Sequence, residues 1–213
     1  MEVSGKLQLD PAAGSDEATA ESEEAVLVAR ARQGDEAAWT ALVRCHHEPV
    51  FRLAYLMLGK EREPAAAAED LAQETFVRAY LKLAQFEDGR PLRPWLLAIA
   101  ANLARNRRRS AGRYWAAIQR WWQAQVTEKA TVQPAVETGE NAQLLWQAIQ
   151  RLPETQRQAL YLRYFLNMPE AEMAQTLDVA QGTVKSRLYR AREALQAVLK
   201  EDYPILYDEW RQE

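Results

Sequence analysis

The sequence predicts an all-α protein: two small helical domains joined by a linker, the C-terminal one a helix-turn-helix. Apolar residues recur every three to four positions in two regions, separated by a stretch that loses this period. No segment carries the strict alternation of a half-buried strand. Near the C-terminus a short apolar helix, a tight turn and a longer basic helix follow one another, the parts of a helix-turn-helix. A chain of 213 residues has room for two such domains.

Residues 1–22 are rich in Ala, Glu, Ser, Gly and Asp and poor in large apolar side chains, the composition of an acidic disordered tail. Helical periodicity begins at about residue 23 with Val26, Leu27 and Ala29. It breaks at Gly34-Asp35, where Asp35 is a candidate N-cap, and resumes through Trp39, Leu42, Val50, Leu53 and Leu58. Gly59 and Pro64 close this run.

The next helix, around Asp70 to Tyr80, carries two stripes. Asp70, Gln73, Glu74 and Arg78 lie along one, and Ala72, Phe76, Ala79, Tyr80 and Leu83 along its neighbour. A polar stripe of this kind is ordinarily just a solvated face, so its meaning depends on the rest of the chain. The Gly- and Pro-containing stretch from Phe86 to Pro94 reads as a loop. A helix from Trp95 then buries Leu96, Leu97, Ile99, Ala100 and Leu103 before turning cationic at Arg105, Arg107, Arg108, Arg109 and Arg113. Arginines this dense exceed what a helix C-terminus needs to offset its dipole and suit a phosphate-contacting surface. The first domain spans residues 23–113.

Residues 114–140 form a linker containing Trp115, Trp121 and Trp122. The second domain, residues 141–200, starts with Leu144, Leu145, Ile149 and Leu152 and a stop at Pro153. Leu160, Leu162 and Phe165 mark a second helix, and Met173 and Leu177 a third. After the turn from Asp178 to Gly182, Val184, Leu188, Ala191 and Leu195 would face the core of this domain. Lys185, Ser186, Tyr189 and Arg190 take the outer face, with Arg187 and Arg192 at its margins. Residues 201–213 form a C-terminal tail without an assigned role.

A net charge of −3 argues against a polyanion partner only as an average, because the acids crowd the N-terminus and the arginines cluster. The single cysteine, Cys45, rules out an intrachain disulfide and a cysteine-based metal cluster, and fits a reducing cytoplasm. Cys45, His46 and His47 invite a metal reading, but adjacent helical residues point about 100° apart and do not converge on one ion. Neither a signal peptide nor a membrane span is indicated. With no glycine-rich phosphate loop and no recognisable nucleophile and base, neither enzymatic activity nor a cofactor is expected.

Three ordered motifs carry a family resemblance. The run from Leu152-Pro153-Glu154-Thr155-Gln156-Arg157 to Gly182-Thr183-Val184-Lys185-Ser186-Arg187-Leu188-Tyr189-Arg190-Ala191-Arg192 resembles the promoter-binding C-terminal domain of bacterial RNA polymerase sigma factors of the extracytoplasmic-function (ECF) group. Asp70-Leu71-Ala72-Gln73-Glu74-Thr75-Phe76 resembles their core-polymerase-binding helix, and Pro94-Trp95-Leu96-Leu97-Ala98-Ile99-Ala100-Ala101-Asn102 the helix that follows. The resemblance covers roughly Glu24 to Leu199.

It implies that Asp70, Gln73, Glu74 and Arg78 bind core RNA polymerase. Phe86, Arg90 and Arg93 of the loop, with Asn102, Arg105, Arg107, Arg108 and Arg109 of the helix, would meet the melted minus-ten element. Thr183, Lys185, Ser186, Arg187, Tyr189 and Arg190 would read the minus-thirty-five element. An anti-sigma factor joins core polymerase and promoter DNA among the implied partners, and direct membrane insertion is not implied. The linker, part helical and part extended, spans roughly 60 Å, enough for promoter elements roughly 50 Å apart.

Some features depart from the pattern: Asp178 stands where the family's turn usually has glycine, Ala180 where Ser or Thr often caps the recognition helix, and Arg105 and Asn106 where many relatives have an apolar residue and an aspartate. The alternative reading is a stand-alone helix-turn-helix regulator whose N-terminal half senses a signal or dimerises.

Overall fold

The computed structural model describes the backbone of residues 13–59, 61, 63–122, 140–204 and 206–208, and side chains from residue 22 onward except 60, 62, 110–140, 205 and 209–213. Helices α1 (Ala13–Arg32), α2 (Glu36–Leu58), α3 (Pro64–Lys82) and α4 (Leu92–Trp122) build the first bundle. Helices α5 (Glu140–Arg151), α6 (Glu154–Leu160), α7 (Glu170–Leu177) and α8 (Gln181–Asp202) build the second. No strand occurs among the described residues.

Helix α1 begins at Ala13, so residues 13–22 are helical where composition suggested a disordered tail. Alanine and glutamate have high helix propensity, and a turn propagates easily from a packed helix once nucleated. The boundary between α1 and α2 is set by local chemistry. Gly34 takes φ +87°, and Asp35 then caps α2 by accepting the N–H groups of Ala37 at 3.0 Å and Ala38 at 3.1 Å. These bonds, the Ala38 one foremost, and the Arg30 guanidinium hold the Asp35 carboxyl below its usual range. Pro64 opens α3 at its first turn, where a missing N–H costs nothing.

The first core is built from Leu42, Leu53 and Leu58 of α2, Leu71 and Phe76 of α3, and Leu96 and Leu97 of α4. Each fully buried leucine contributes about 2 kcal/mol of transfer free energy, so a handful of such positions dictates how the helices pack. Trp39, Phe76 and Tyr80 add an aromatic seam between α2 and α3, with ring centroids 6.4 and 5.2 Å from Trp39. Helix α4 starts at Leu92, three residues before the expected Trp95, because Pro94 is tolerated within a first turn. The same helix continues through residues 114–122, which sequence reasoning placed in the linker. The extended part of that linker and the tryptophan side chains lie outside the described residues.

In the second bundle α6 passes into a π-helical turn, Tyr161–Phe165, whose register is marked by the Leu166 N–H bonding the Tyr161 carbonyl at 3.1 Å. Tyr161 is buried against Trp146 and Phe165, and its hydroxyl accepts from Gln150 at 2.7 Å; burial pushes this phenol pKa up. Arg157 is also buried. Its guanidinium donates to the carbonyls of Gln150 at 2.9 Å and Leu152 at 3.5 Å, closing the C-terminal end of α5, and burial lowers its pKa. The tail has a structural use: Tyr203 bonds Gln147 at 3.3 Å, Gln196 bonds Tyr207 at 3.2 Å, and Asp202 pairs with Arg151.

Helix α7 ends in a Schellman motif. Asp178 sits in the left-handed region (φ 51°, ψ 53°), its N–H bonds Gln175 at 3.3 Å, and the Val179 N–H reaches back to Ala174 at 3.1 Å. The turn is therefore intact with aspartate at the glycine position, since Asp is among the few side chains that enter this region readily. Ala180 caps α8 with N-cap backbone geometry (φ −62°, ψ 147°) but without a side-chain bond.

The two bundles share one continuous apolar core. Helix α4 packs on α7, and the π-helical turn touches α2.

Candidate functional site

Three surfaces carry the candidate residues. On α3, Asp70, Gln73, Glu74 and Arg78 are all exposed on one stripe, while Leu71, Ala72, Thr75, Phe76 and Ala79 are buried on the other. Arg78 pairs with Glu74 at 2.6 Å one turn earlier, and Gln73 bonds Glu69 at 3.4 Å. Tyr80, expected on the buried stripe, is 45% exposed. Val77 and Leu81 flank the polar stripe at 59% and 74% exposure, an apolar strip that the search for charged residues missed. Their 3.6-residue spacing from Gln73 and Glu74 was the available signal.

The second surface joins the loop after α3 to α4. Arg32 of α1 pins this loop: Nε donates to the Leu83 carbonyl at 3.0 Å, Nη2 to the Phe86 carbonyl, and Nη1 pairs with Asp88 at 2.5 Å. Phe86 is buried with its ring 5.0 Å from Trp95, so it shapes the loop from beneath. Arg90 is exposed and pairs with Glu87 at 2.7 Å. A cleft of about 130 Å³ opens between the loop and α4, lined by Phe86, Arg90, Pro94, Trp95 and also Gln175 of α7. Along α4, Asn102 and Arg109 are exposed, Arg105 bonds Asn102, and Arg107 pairs with Glu61 at 3.0 Å. Arg93 and Arg108 face the second bundle. Arg93 donates to the Leu166 carbonyl at 2.6 Å, and Arg108 lies 3.8 Å from Glu154.

The third surface is α8. Val184, Leu188 and Ala191 are buried, with Leu195 partly buried against the core, and Lys185, Tyr189 and Arg190 are exposed. Thr183, Ser186 and Arg187 are half-buried at the edge of this face. The Ser186 hydroxyl donates to the Thr183 carbonyl at 3.0 Å and accepts from Arg190 at 3.3 Å, which sets both side chains before any ligand arrives. Lys185 lies 3.8 Å from Glu170. Sequence reasoning left Tyr164 aside, yet it is exposed and its hydroxyl accepts from Arg192 Nε at 2.8 Å, extending the basic face onto the preceding turn.

The histidines do not act together. His46 meets Glu24 at 2.7 Å and His47 meets Glu69 at 3.3 Å, in different directions.

Two helical bundles, an exposed acid-and-amide stripe on the first and a basic reading helix on the second define a promoter-recognising transcription initiation subunit. The sigma-70 region 2 model matches residues 42–114 and the sigma-70 region 4 model residues 142–195. The chain is 30% identical over 182 residues to the ECF RNA polymerase sigma factor SigW of Bacillus subtilis, covering 82% of this chain and 95% of that one. The fold resembles that of CnrH in complex with the cytosolic domain of CnrY (TM-score 0.60, 26% identity, 84% and 99% of the two chains). It also resembles the sigma factor RpoE in complex with the anti-sigma factor NepR from Bartonella quintana (TM-score 0.55, 29% identity, 76% and 97%). The chain belongs to the ECF sigma factors. Matching both regions in order, it does not favour the stand-alone regulator. Among the described residues no helix is long and apolar enough to cross a membrane.

Proposed function

We propose that the three surfaces divide the work of a sigma factor on this chain. Asp70, Gln73, Glu74 and Arg78 dock core RNA polymerase. Loop residues Phe86, Arg90 and Arg93, with Asn102, Arg105 and Arg107 to Arg109, hold the opened minus-ten strand. Thr183, Lys185, Ser186, Arg187, Tyr189 and Arg190 read the minus-thirty-five duplex. The observation that carries this reading is the sidedness of α8: Val184, Leu188 and Ala191 are buried while Lys185, Tyr189 and Arg190 are exposed on the helix that follows a tight turn. Such a helix presents donors to base edges and phosphates from a fixed backbone. An unstacked base has a polar edge and a π face, and the cleft beside Phe86 and Trp95 offers aromatic walls with Arg90 at its rim.

The protein itself makes and breaks no covalent bond in this scheme. It acts in the cytoplasm, where it brings polymerase to DNA and stabilises the opened state. Similarity to sigma factors solved with protein partners supports an anti-sigma factor as its regulator. Run-off transcription tests the whole reading: core polymerase plus this protein gives a discrete transcript from its promoter, and core alone does not. If core alone gives the same product, the reading fails.

A further inference from the structure

The loop between α3 and α4 is tied to α1 at both of its ends. Four consecutive residues of this loop, Glu87 to Arg90, are exposed, flanked by the buried Phe86 and Leu92. A turn gives the apex its own shape: Gly89 takes φ +77°, and the Arg90 N–H bonds the Glu87 carbonyl at 3.4 Å. Such a turn does not fix where the apex stands relative to α4.

Arg32 of α1 does. It directs all three guanidinium nitrogens at the loop: Nε donates to the Leu83 carbonyl at 3.0 Å, Nη2 to the Phe86 carbonyl, and Nη1 pairs with Asp88 at 2.5 Å. The Arg32 side chain is only 22% exposed, whereas that of Asp88 is 83% exposed. Eight residues earlier on the same helix, about 12 Å along its axis, Glu24 accepts the Leu92 N–H at 2.9 Å. An arginine that merely closed the core would bond buried groups between packed helices. Arg32 reaches instead to an apex that buries nothing.

We infer that α1 is a two-point brace for the minus-ten loop, with Arg32 the positioning residue that holds Phe86 to Arg90 at the spacing from Trp95 needed to discriminate an unstacked base. This role rests on the minus-ten assignment proposed above. The cleft has Phe86, Glu87, Arg90 and Pro91 on its loop side and Trp95 on its α4 side, so drift of the loop changes its width. A loop held in advance removes an ordering cost from DNA binding. It also keeps discrimination, because bases are told apart by donors and acceptors at fixed positions, and a slack loop adapts to several of them. The planar guanidinium fork spans two carbonyls and a carboxylate, a geometry that a lysine ammonium lacks.

Three substitutions outside the residues assigned to DNA and polymerase test the brace. Arg32→Met removes all three bonds at similar side-chain length, Arg32→Lys keeps the charge without the fork, and Asp88→Ala releases only the apex. Circular dichroism confirms that each variant is folded, and the exposed Asp88 keeps the test open if Arg32→Met does not fold. In hydrogen exchange on the full-length chain, the amides of residues 87–90 are expected to exchange about tenfold faster in Arg32→Met, with the core of α2 unchanged. For DNA, holoenzyme assembled with core polymerase is mixed with a 12-nucleotide single strand of randomised sequence, and the bound fraction is sequenced. Wild type is expected to enrich particular bases. Arg32→Met should lower that enrichment by about threefold to tenfold, and Arg32→Lys and Asp88→Ala by about twofold to threefold. Asp88→Ala separates positioning from charge, since losing a negative charge alone would raise affinity for the strand at constant discrimination. That outcome overturns the inference, as does a folded Arg32→Met variant with wild-type exchange in the loop or with undiminished base preference. Wild type without base preference, together with unchanged strand binding in Arg90→Ala, overturns it as well and places the failure in the minus-ten assignment.

Discussion

The Glu24 carboxylate accepts the backbone N–H of Leu92 at 2.9 Å, so a side chain of α1 satisfies a donor in the first turn of the helix that carries the arginine cluster. Its other oxygen meets His46 of α2 at 2.7 Å. One carboxylate therefore joins three helices. Burial raises its pKa, but the hydrogen bonds from His46 and Leu92 outweigh burial and hold it below the ordinary 4.5. A depressed native pKa contributes stability that is complete above the ordinary value and is lost as pH falls through the native one. Glu24→Gln is expected to cost about 1–2 kcal/mol at neutral pH in denaturant titrations. The gap from wild type should narrow as pH drops below 4.5; a gap that persists undiminished in acid would contradict this account.

The α3 face proposed to dock polymerase presents both polar and apolar groups. Asp70→Ala with Glu74→Ala, and separately Leu81→Asp, are expected to weaken core binding at least about tenfold, a loss of roughly 1.4 kcal/mol. Binding to a minus-thirty-five duplex should be unchanged, because that surface lies on the other domain. Normal core affinity in the double variant would remove the docking assignment.

If α8 reads the minus-thirty-five duplex as proposed, Lys185 and Tyr189 are expected to divide phosphate from base contacts. Lys185→Ala should reduce the slope of log affinity against log salt by about 0.9 if the lysine neutralises one phosphate. Tyr189→Ala should instead flatten discrimination between duplex sequences while leaving that slope in place. Competition binding at several salt concentrations distinguishes the two, and identical behaviour of both variants would refute the division.

Two positions near the turn are open to improvement. Asp178→Gly relieves a left-handed residue and is expected to stabilise the protein by about 0.5–1 kcal/mol. Asp178→Val, with its branched Cβ at positive φ, should destabilise it. Ala180→Ser supplies the missing N-cap oxygen and should add about 1 kcal/mol. Thermal melts read all three, and a destabilised Ala180→Ser variant would show that the cap geometry is not available to a side chain.

The helices, their order and the sidedness of α3 and α8 were legible because burial imposes a period on the sequence. Val184, Leu188 and Ala191 announce one face, and Asp35 announces a helix start through its own chemistry. Arg32 was not legible: its bonds reach Leu83, Phe86 and Asp88, more than fifty positions away, and no local pattern encodes such a reach. The exposed Val77 and Leu81 were hidden for the opposite reason, since apolar residues at helical spacing usually mean core. Arg93 and Arg108 were read as minus-ten contacts from their charge and their place in the loop and on α4. Their engagement by Leu166, Glu172 and Glu154 depends on how two domains meet, a relation that single-helix periodicity does not contain.

The π-helical turn at Tyr161–Phe165 acts as a phase shifter in the second domain. One additional residue per turn advances the following side chains by about 100° relative to an uninterrupted α-helix. It lets Tyr161 and Phe165 both contact Trp146 while Tyr164 emerges beside Arg192. Deleting a single residue here would preserve helix content and composition yet rotate Tyr164 away from the basic face and Phe165 away from Trp146. In this domain, the length of a seven-residue helix and the turn after it sets the angular setting of everything downstream.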